Sequence, residues 1–349
     1  MRLENVRSWL ANQSADALLI TAPSNILYLL GFKSSNAAAL IGDDFVILYT
    51  DSRYRESAYA IRDIEVVVLE RNIFAGLGAS LSDYVKGIVA FEASNLSFAS
   101  YELLLKSGLK FVSSDNALEQ IRSVKDAEEL IAIKRSAEVL SCAFGRIPEL
   151  DPIGKTERHL AWLIERLMRE DLGADSLSFP SIVASGPNSA KPHHHPSDRV
   201  IMEDEILLVD AGCVVGGYCS DCTRVYATGA LSPVMQKAYK DCFEIQERAV
   251  ESVHAGLTGK ALDETYRAAL DDLGYTADHS LGHGVGIEIH EEPRLAWTAS
   301  GKLKAGQVVT VEPGIYLPGI GGVRIEDMLI IQEGGSEVIT PVSKSLTVI

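Results

Sequence analysis

The stretch VDAGCVVGGYCSDCTR holds two aspartates, Asp210 and Asp221, and the apolar run ILLV leads directly into Asp210, where a buried strand should carry hydrocarbon. If the stretch is a hairpin turning at Val215-Gly216, the two carboxylates face each other with Cβ atoms about 4.5–5.5 Å apart. Like charges in an apolar sheet persist at that distance only if they share a proton or a cation lies between them. A second stretch, VVTVEPGIYLPGIGGVRIEDMLII, repeats the arrangement: a hairpin centred on Gly319 sets Glu312 opposite Glu326. Four carboxylates in two opposed pairs would neutralise two divalent cations, which points to a two-metal cluster. The segment SLGHGVGIEIHEEP offers an imidazole, His283, flanked by glycines that let backbone approach a ligand closely. Oxygen donors suit Mn²⁺ or Mg²⁺, and one imidazole moves the preference toward Mn²⁺, Co²⁺, Fe²⁺ or Zn²⁺.

The elements that must position these residues can be read from periodicity. In the first third, DALLIT, the hairpin AALIGDDFVILYT and IEVVVLE read as strands, and GIVAFE, FASYELLLKSG and LKFVSS read as a βαβ unit. Near residue 122 the pattern changes to IRSVKDAEELIAIKRSAEVL, a polar start followed by helically spaced apolar residues, which places a domain boundary there. An α/β domain over 1–122 is therefore expected, followed by an α+β domain over 123–349. Within the second domain, helices over about 126–147 and after the N-cap Thr156 precede the hairpin 206–228. Helices over about 233–255 and around Leu262–Leu273 precede the hairpin 307–331. Two helices and a hairpin thus occur twice.

Length and composition narrow the possibilities. At 349 residues and 47% hydrophobic, the chain can bury a sizeable core. The net charge of −16, without a Lys/Arg cluster, argues against nucleic acid or an anionic membrane as partner. No window reaches the roughly 18 apolar residues of a membrane span, and the N-terminus has no long apolar stretch, so a cytoplasmic location is expected. Five cysteines form an odd set that fits reduced thiols. Cys219-Ser-Asp-Cys222 spells a C-x-x-C pair, but its spacing places the thiols on opposite faces of a strand and no second pair follows. In the triplet His193-His194-His195, extended chain points neighbours alternately, so at most two can serve one site.

Taken in order, SGPNSAKPHHHPSDR, VDAGCVVGGYCSDCTR, GHGVGIEIHEEPR, VEPGIY and GGVRIED, with NILYLLGF and TDSRY nearer the N-terminus, resemble the pita-bread metallopeptidases of the Xaa-Pro aminopeptidase and Xaa-Pro dipeptidase (prolidase) branch. The resemblance spans nearly the whole chain. It implies a creatinase-like N-terminal domain before a pita-bread catalytic domain. It also implies two divalent metal ions, foremost Mn²⁺, with Co²⁺, Zn²⁺ or Fe²⁺ as alternatives. On this resemblance Asp210, Asp221, His283, Glu312 and Glu326 are the metal ligands, with Asp221 and Glu326 bridging. By the same resemblance the ions would supply hydroxide as the nucleophile, and Glu312 would double as general base and acid. The resemblance also implies that His193 and His290 line the substrate pocket and that Arg324 hydrogen-bonds near Glu326, while His194 and His195 carry no matched role. A homodimer acting on peptides with proline in second position completes the expectation.

Within that branch, TDSRY and GFKSSNAAALI favour the aminopeptidase, which removes an N-terminal residue ahead of proline, over a peptidase restricted to Xaa-Pro dipeptides. Arg294 in EEPRL occurs in both, and in dipeptidases binds the proline carboxylate. A metal-free binding module on the same fold is the reading from another class, and the complete ligand set argues against it.

Overall fold

The computed structural model describes residues 2–114 and 116–349, and the chain divides after Arg122 into two compact units. The first unit is built on a six-stranded sheet. Its strands are β1 (Ala17–Ile20), β2 (Ala37–Ile41), β3 (Val46–Asp51), β4 (Glu65–Leu69), β5 (Ile88–Phe91) and β6 (Lys110–Ser113), in the order β4-β3-β2-β1-β5-β6. The β2–β3 hairpin is antiparallel, whereas β5 and β6 run parallel with the helix Phe98–Leu105 between them. Strands β1 to β3 carry almost unbroken apolar side chains because both sheet faces are covered. Leu18, Ile20 and Leu48 enter one core, and Leu19, Leu40 and Ile47 enter the other. The helices Arg2–Leu10, Pro23–Leu30 and Ile73–Tyr84 supply much of that cover and were not distinguished in the sequence.

The second unit repeats one architecture. Helices Ala127–Gly145 and Glu157–Arg166 precede the paired strands Ile206–Ala211 and Cys222–Ala227. Helices Pro233–Ser252 and Gly259–Asp272 precede the paired strands Val308–Val311 and Asp327–Gln332. Thr156 and Thr258 cap the second helix of each half, each accepting a backbone N–H three residues on. Each also forms an isolated antiparallel bridge, to Val200 and to Lys302 respectively.

The strand Ile206–Ala211 is buried on both sides. Leu207 and Val209 pack with Leu140, Phe144, Leu160 and Ile164, while Ile206 and Leu208 pack with Val309, Val323 and Ile325 from the second half. By alternation Asp210 shares the face of Ile206 and Leu208, so its carboxylate is directed toward the second hairpin rather than to solvent.

The first hairpin corrects one expectation. Its turn is Gly216-Gly217, with φ of +60° and +85°, so Val215 pairs with Tyr218 and Thr223, not Asp221, lies opposite Asp210. Two consecutive positive φ values suit a two-residue turn that matches strand twist, and glycine adopts them without a Cβ penalty. Asp221 falls in the break between Tyr218–Cys219 and Cys222–Ala227. The second hairpin keeps the expected register: Leu317 pairs with Gly321 and Val311 with Asp327, which sets Glu312 across from Glu326.

Candidate active site

A cavity of about 510 Å³ opens in the second unit, lined among others by Asp210, Asp221, His283, Glu312, Arg324 and Glu326. Ligand atoms of Asp221, His283 and Glu326 lie within 4.8 Å of one another. His283 Nε2 is 3.4 Å from Glu312 Oε1 and 3.7 Å from Asp221 Oδ2. Its Nδ1 donates to the Gly284 carbonyl at 3.1 Å, leaving the Nε2 lone pair directed at the carboxylates. Gly282 permits this approach, because a Cβ there would stand 2.1 Å from the Thr310 carbonyl oxygen. Thr310 Oγ1 accepts from the His283 N–H and donates to Glu312 Oε1, tying the two together.

Arg324 is buried and grips the other side. Its Nη2 donates to Asp210 Oδ2 at 2.6 Å, Nε to Thr223 Oγ1, and Nη1 to Tyr316 OH and the Pro192 carbonyl. Thr223 Oγ1 in turn donates to Glu326 Oε2 at 2.6 Å. Arg324 thus holds Asp210 directly and reaches Glu326 through Thr223.

Burial raises the carboxyls of Asp210, Asp221, Glu312 and Glu326 above the ordinary range, and mutual repulsion adds to it for Asp221 and Glu326. Glu312 is pushed up to about 7. Burial, helped by His290, pushes His283 down to about 3, so its imidazole is neutral at ordinary pH. Asp210 Oδ1 and Glu326 Oε1 are buried without a hydrogen-bond partner. Three buried carboxylates and a partly buried fourth, one arginine, a neutral imidazole with a free lone pair and two orphaned oxygens are an electron-rich donor set that divalent cations satisfy.

His193 and His290 both line the cavity, and the His290 ring stands edge-on to His283 with centroids 4.3 Å apart. Arg294 lines it too, with an exposed side chain. The sequence reading missed His279, which also lines the cavity. Its Nδ1 donates to the Ser280 carbonyl, and Nε2 lies 2.9 Å from Tyr316 OH. Its proximity to His283 in HSLGH was the available signal. His194 and His195 also line the cavity, and His194 is buried. The five cysteines are free, and Cys219 and Cys222 belong to separate core clusters.

The sequence profile of metallopeptidase family M24 matches residues 131–333, and that of the creatinase/prolidase N-terminal domain matches 2–124. An Xaa-Pro dipeptidase of Pyrococcus furiosus is 34% identical over 99% of both chains. Among solved structures, an Xaa-Pro dipeptidase from Bacillus anthracis is 35% identical with a TM-score of 0.95, covering 100% of this chain and 99% of that one. An X-Pro aminopeptidase from Thermotoga maritima is 34% identical with a TM-score of 0.92, covering 99% of each.

Proposed function

Because the chain belongs to metallopeptidase family M24, with a creatinase/prolidase N-terminal domain ahead of a pita-bread peptidase domain, we propose that it is an Xaa-Pro dipeptidase acting with two divalent metal ions. The single observation that carries the metal-dependent reading is the carboxylate cluster lining one cavity, with two of its oxygens buried and without a hydrogen-bond partner. The dipeptidase reading replaces the aminopeptidase expected from sequence, since the names of the Pyrococcus and Bacillus relatives favour it.

Asp210, Asp221, His283, Glu312 and Glu326 would hold the cations, and the mixed oxygen and imidazole donors favour Mn²⁺, with Co²⁺, Zn²⁺ or Fe²⁺ as alternatives. When bound, such a pair supplies Lewis acidity that activates solvent and polarises the scissile carbonyl. Arg324 keeps Asp210 and, through Thr223, Glu326 in place. Glu312 takes up the proton of the attacking water and returns it to the leaving proline nitrogen. His193 and His290, at the cavity wall, present N–H donors to the oxygen that gains charge in the transition state. Arg294, exposed at the wall, fits the free carboxylate of a dipeptide. Free cysteines agree with a reducing, cytoplasmic setting, and no helix among the described residues is long and apolar enough to cross a membrane. The family resemblance favours a homodimer.

An aminopeptidase is the second reading, supported by the Thermotoga relative. Incubating the Mn²⁺-loaded protein with an Xaa-Pro dipeptide and with Xaa-Pro-Xaa tripeptides separates the two. Cleavage confined to the dipeptide is expected, comparable cleavage of tripeptides favours the aminopeptidase, and no cleavage of either returns the fold to a binding role.

A further inference from the structure

Below the cavity wall lies a carboxylate that the chemistry above does not use. Glu157, in the first turn of the helix Glu157–Arg166, is fully buried. Its Oε1 accepts from Ser185 N–H and Oγ at 2.8 Å each, and Asn188 Nδ2 reaches both carboxylate oxygens at 3.1 and 3.2 Å. Its Oε2 accepts from Ser197 N–H and Oγ, and lies 2.8 Å from His194 Nε2. Burial alone would raise this carboxyl, but the bonds from Ser197, His194, Ser185 and Asn188 together hold it down to about 2. An ionised carboxylate only accepts, so His194 Nε2 carries the proton and donates it.

One buried side chain therefore gathers the strand end at Ser185, the turn at Asn188 and the loop through His194 and Ser197. His194 lines the cavity together with its neighbours His193 and His195. The same loop is held from the cavity side, where Arg324 Nη1 donates to the Pro192 carbonyl at 3.3 Å.

We propose that Glu157 and His194 are positioning residues: their buried bond fixes the loop so that His193 stands at the cavity wall in the orientation the reacting carbonyl requires. The inference rests on the Xaa-Pro peptidase reading, in which His193 acts on the developing oxyanion. A donor that acts only in the transition state, once misaligned, lowers kcat and leaves KM nearly unchanged. Displacement by about 1 Å costs up to about a hundredfold.

The test is a kinetic cycle on the Mn²⁺-loaded full chain with an Xaa-Pro dipeptide, using His194→Ala, His193→Ala, the double variant and His194→Gln. His194→Ala is expected to lower kcat about tenfold or more with KM within about twofold. Added to His193→Ala it should cost nothing further, because the residue it positions is already gone. His194→Gln keeps an N–H at similar reach and should recover most of kcat, and it carries the test if the alanine variant folds poorly. An unchanged kcat in His194→Ala, a loss that multiplies with that of His193→Ala, or a glutamine variant as impaired as alanine would each overturn the positioning role. A metal-loaded wild type that cleaves no Xaa-Pro peptide overturns the functional reading first, and this inference with it.

Discussion

At the scale of single residues, the site is defined by charges that the fold cannot tolerate without a counterion. Asp210, Asp221 and Glu326 are buried and Glu312 is partly buried near one arginine, and Glu312 is held near 7. Cation binding must displace the proton that Glu312 retains below that pH, whereas His283, already neutral, has none to give. Apparent Mn²⁺ affinity should therefore rise as pH increases from about 6 to about 8. Titration calorimetry in two buffers of different ionisation enthalpy should detect proton release at pH 6.5, and identical heats in both would refute the protonated carboxyl. These residue types were legible because acids interrupt apolar strands and His283 lies in a glycine-rich run. His279, His194 and His195 were not, because a histidine's use depends on which way its loop faces, and neither pattern nor period encodes that.

The strands and turns decide whether those side chains converge. The first hairpin was read one residue out, because VVGG offers two candidate turns and only backbone conformation separates Val215-Gly216 from Gly216-Gly217. Both acids line one cavity nonetheless, Asp221 from the break between Tyr218–Cys219 and Cys222–Ala227. In the second hairpin, Gly319, with φ of +77°, gave an unambiguous centre and the register followed. Two glycines make contrasting tests. At Gly282 a Cβ would meet the Thr310 backbone at 2.1 Å, so Gly282→Ala must shift His283 and should lower Mn²⁺ affinity by about tenfold or more. Gly216 faces open space with φ of +60°, so Gly216→Ala should cost only about 1–2 kcal/mol of stability and leave metal affinity intact. Equal metal affinity in both variants would contradict the role given to Gly282.

For the whole molecule, the repeated unit of two helices and a hairpin explains why five ligand-type residues so far apart in sequence can serve one centre. Asp210 and Asp221 come from the first half of the peptidase unit, and His283, Glu312 and Glu326 from the second. Helix phasing and caps such as Thr156 and Thr258 made that repeat readable. Several N-terminal helices were not, because short segments such as Pro23–Leu30 are apolar on too many sides to show a clear period. Cations bound to both halves should stabilise the fold by mass action, by about 2.7 kcal/mol at a hundredfold excess over Kd. A differential scanning calorimetry midpoint that does not rise on Mn²⁺ addition would argue that the halves share no ion.

The most direct test is metal stoichiometry. After dialysis against Mn²⁺ near pH 7.5, elemental analysis should find two ions per wild-type chain and fewer in a folded Asp221→Ala variant, whose Xaa-Pro turnover should fall by about a hundredfold or more. A wild type that retains no metal, or a variant that retains as much as wild type and stays fully active, would contradict the two-metal centre.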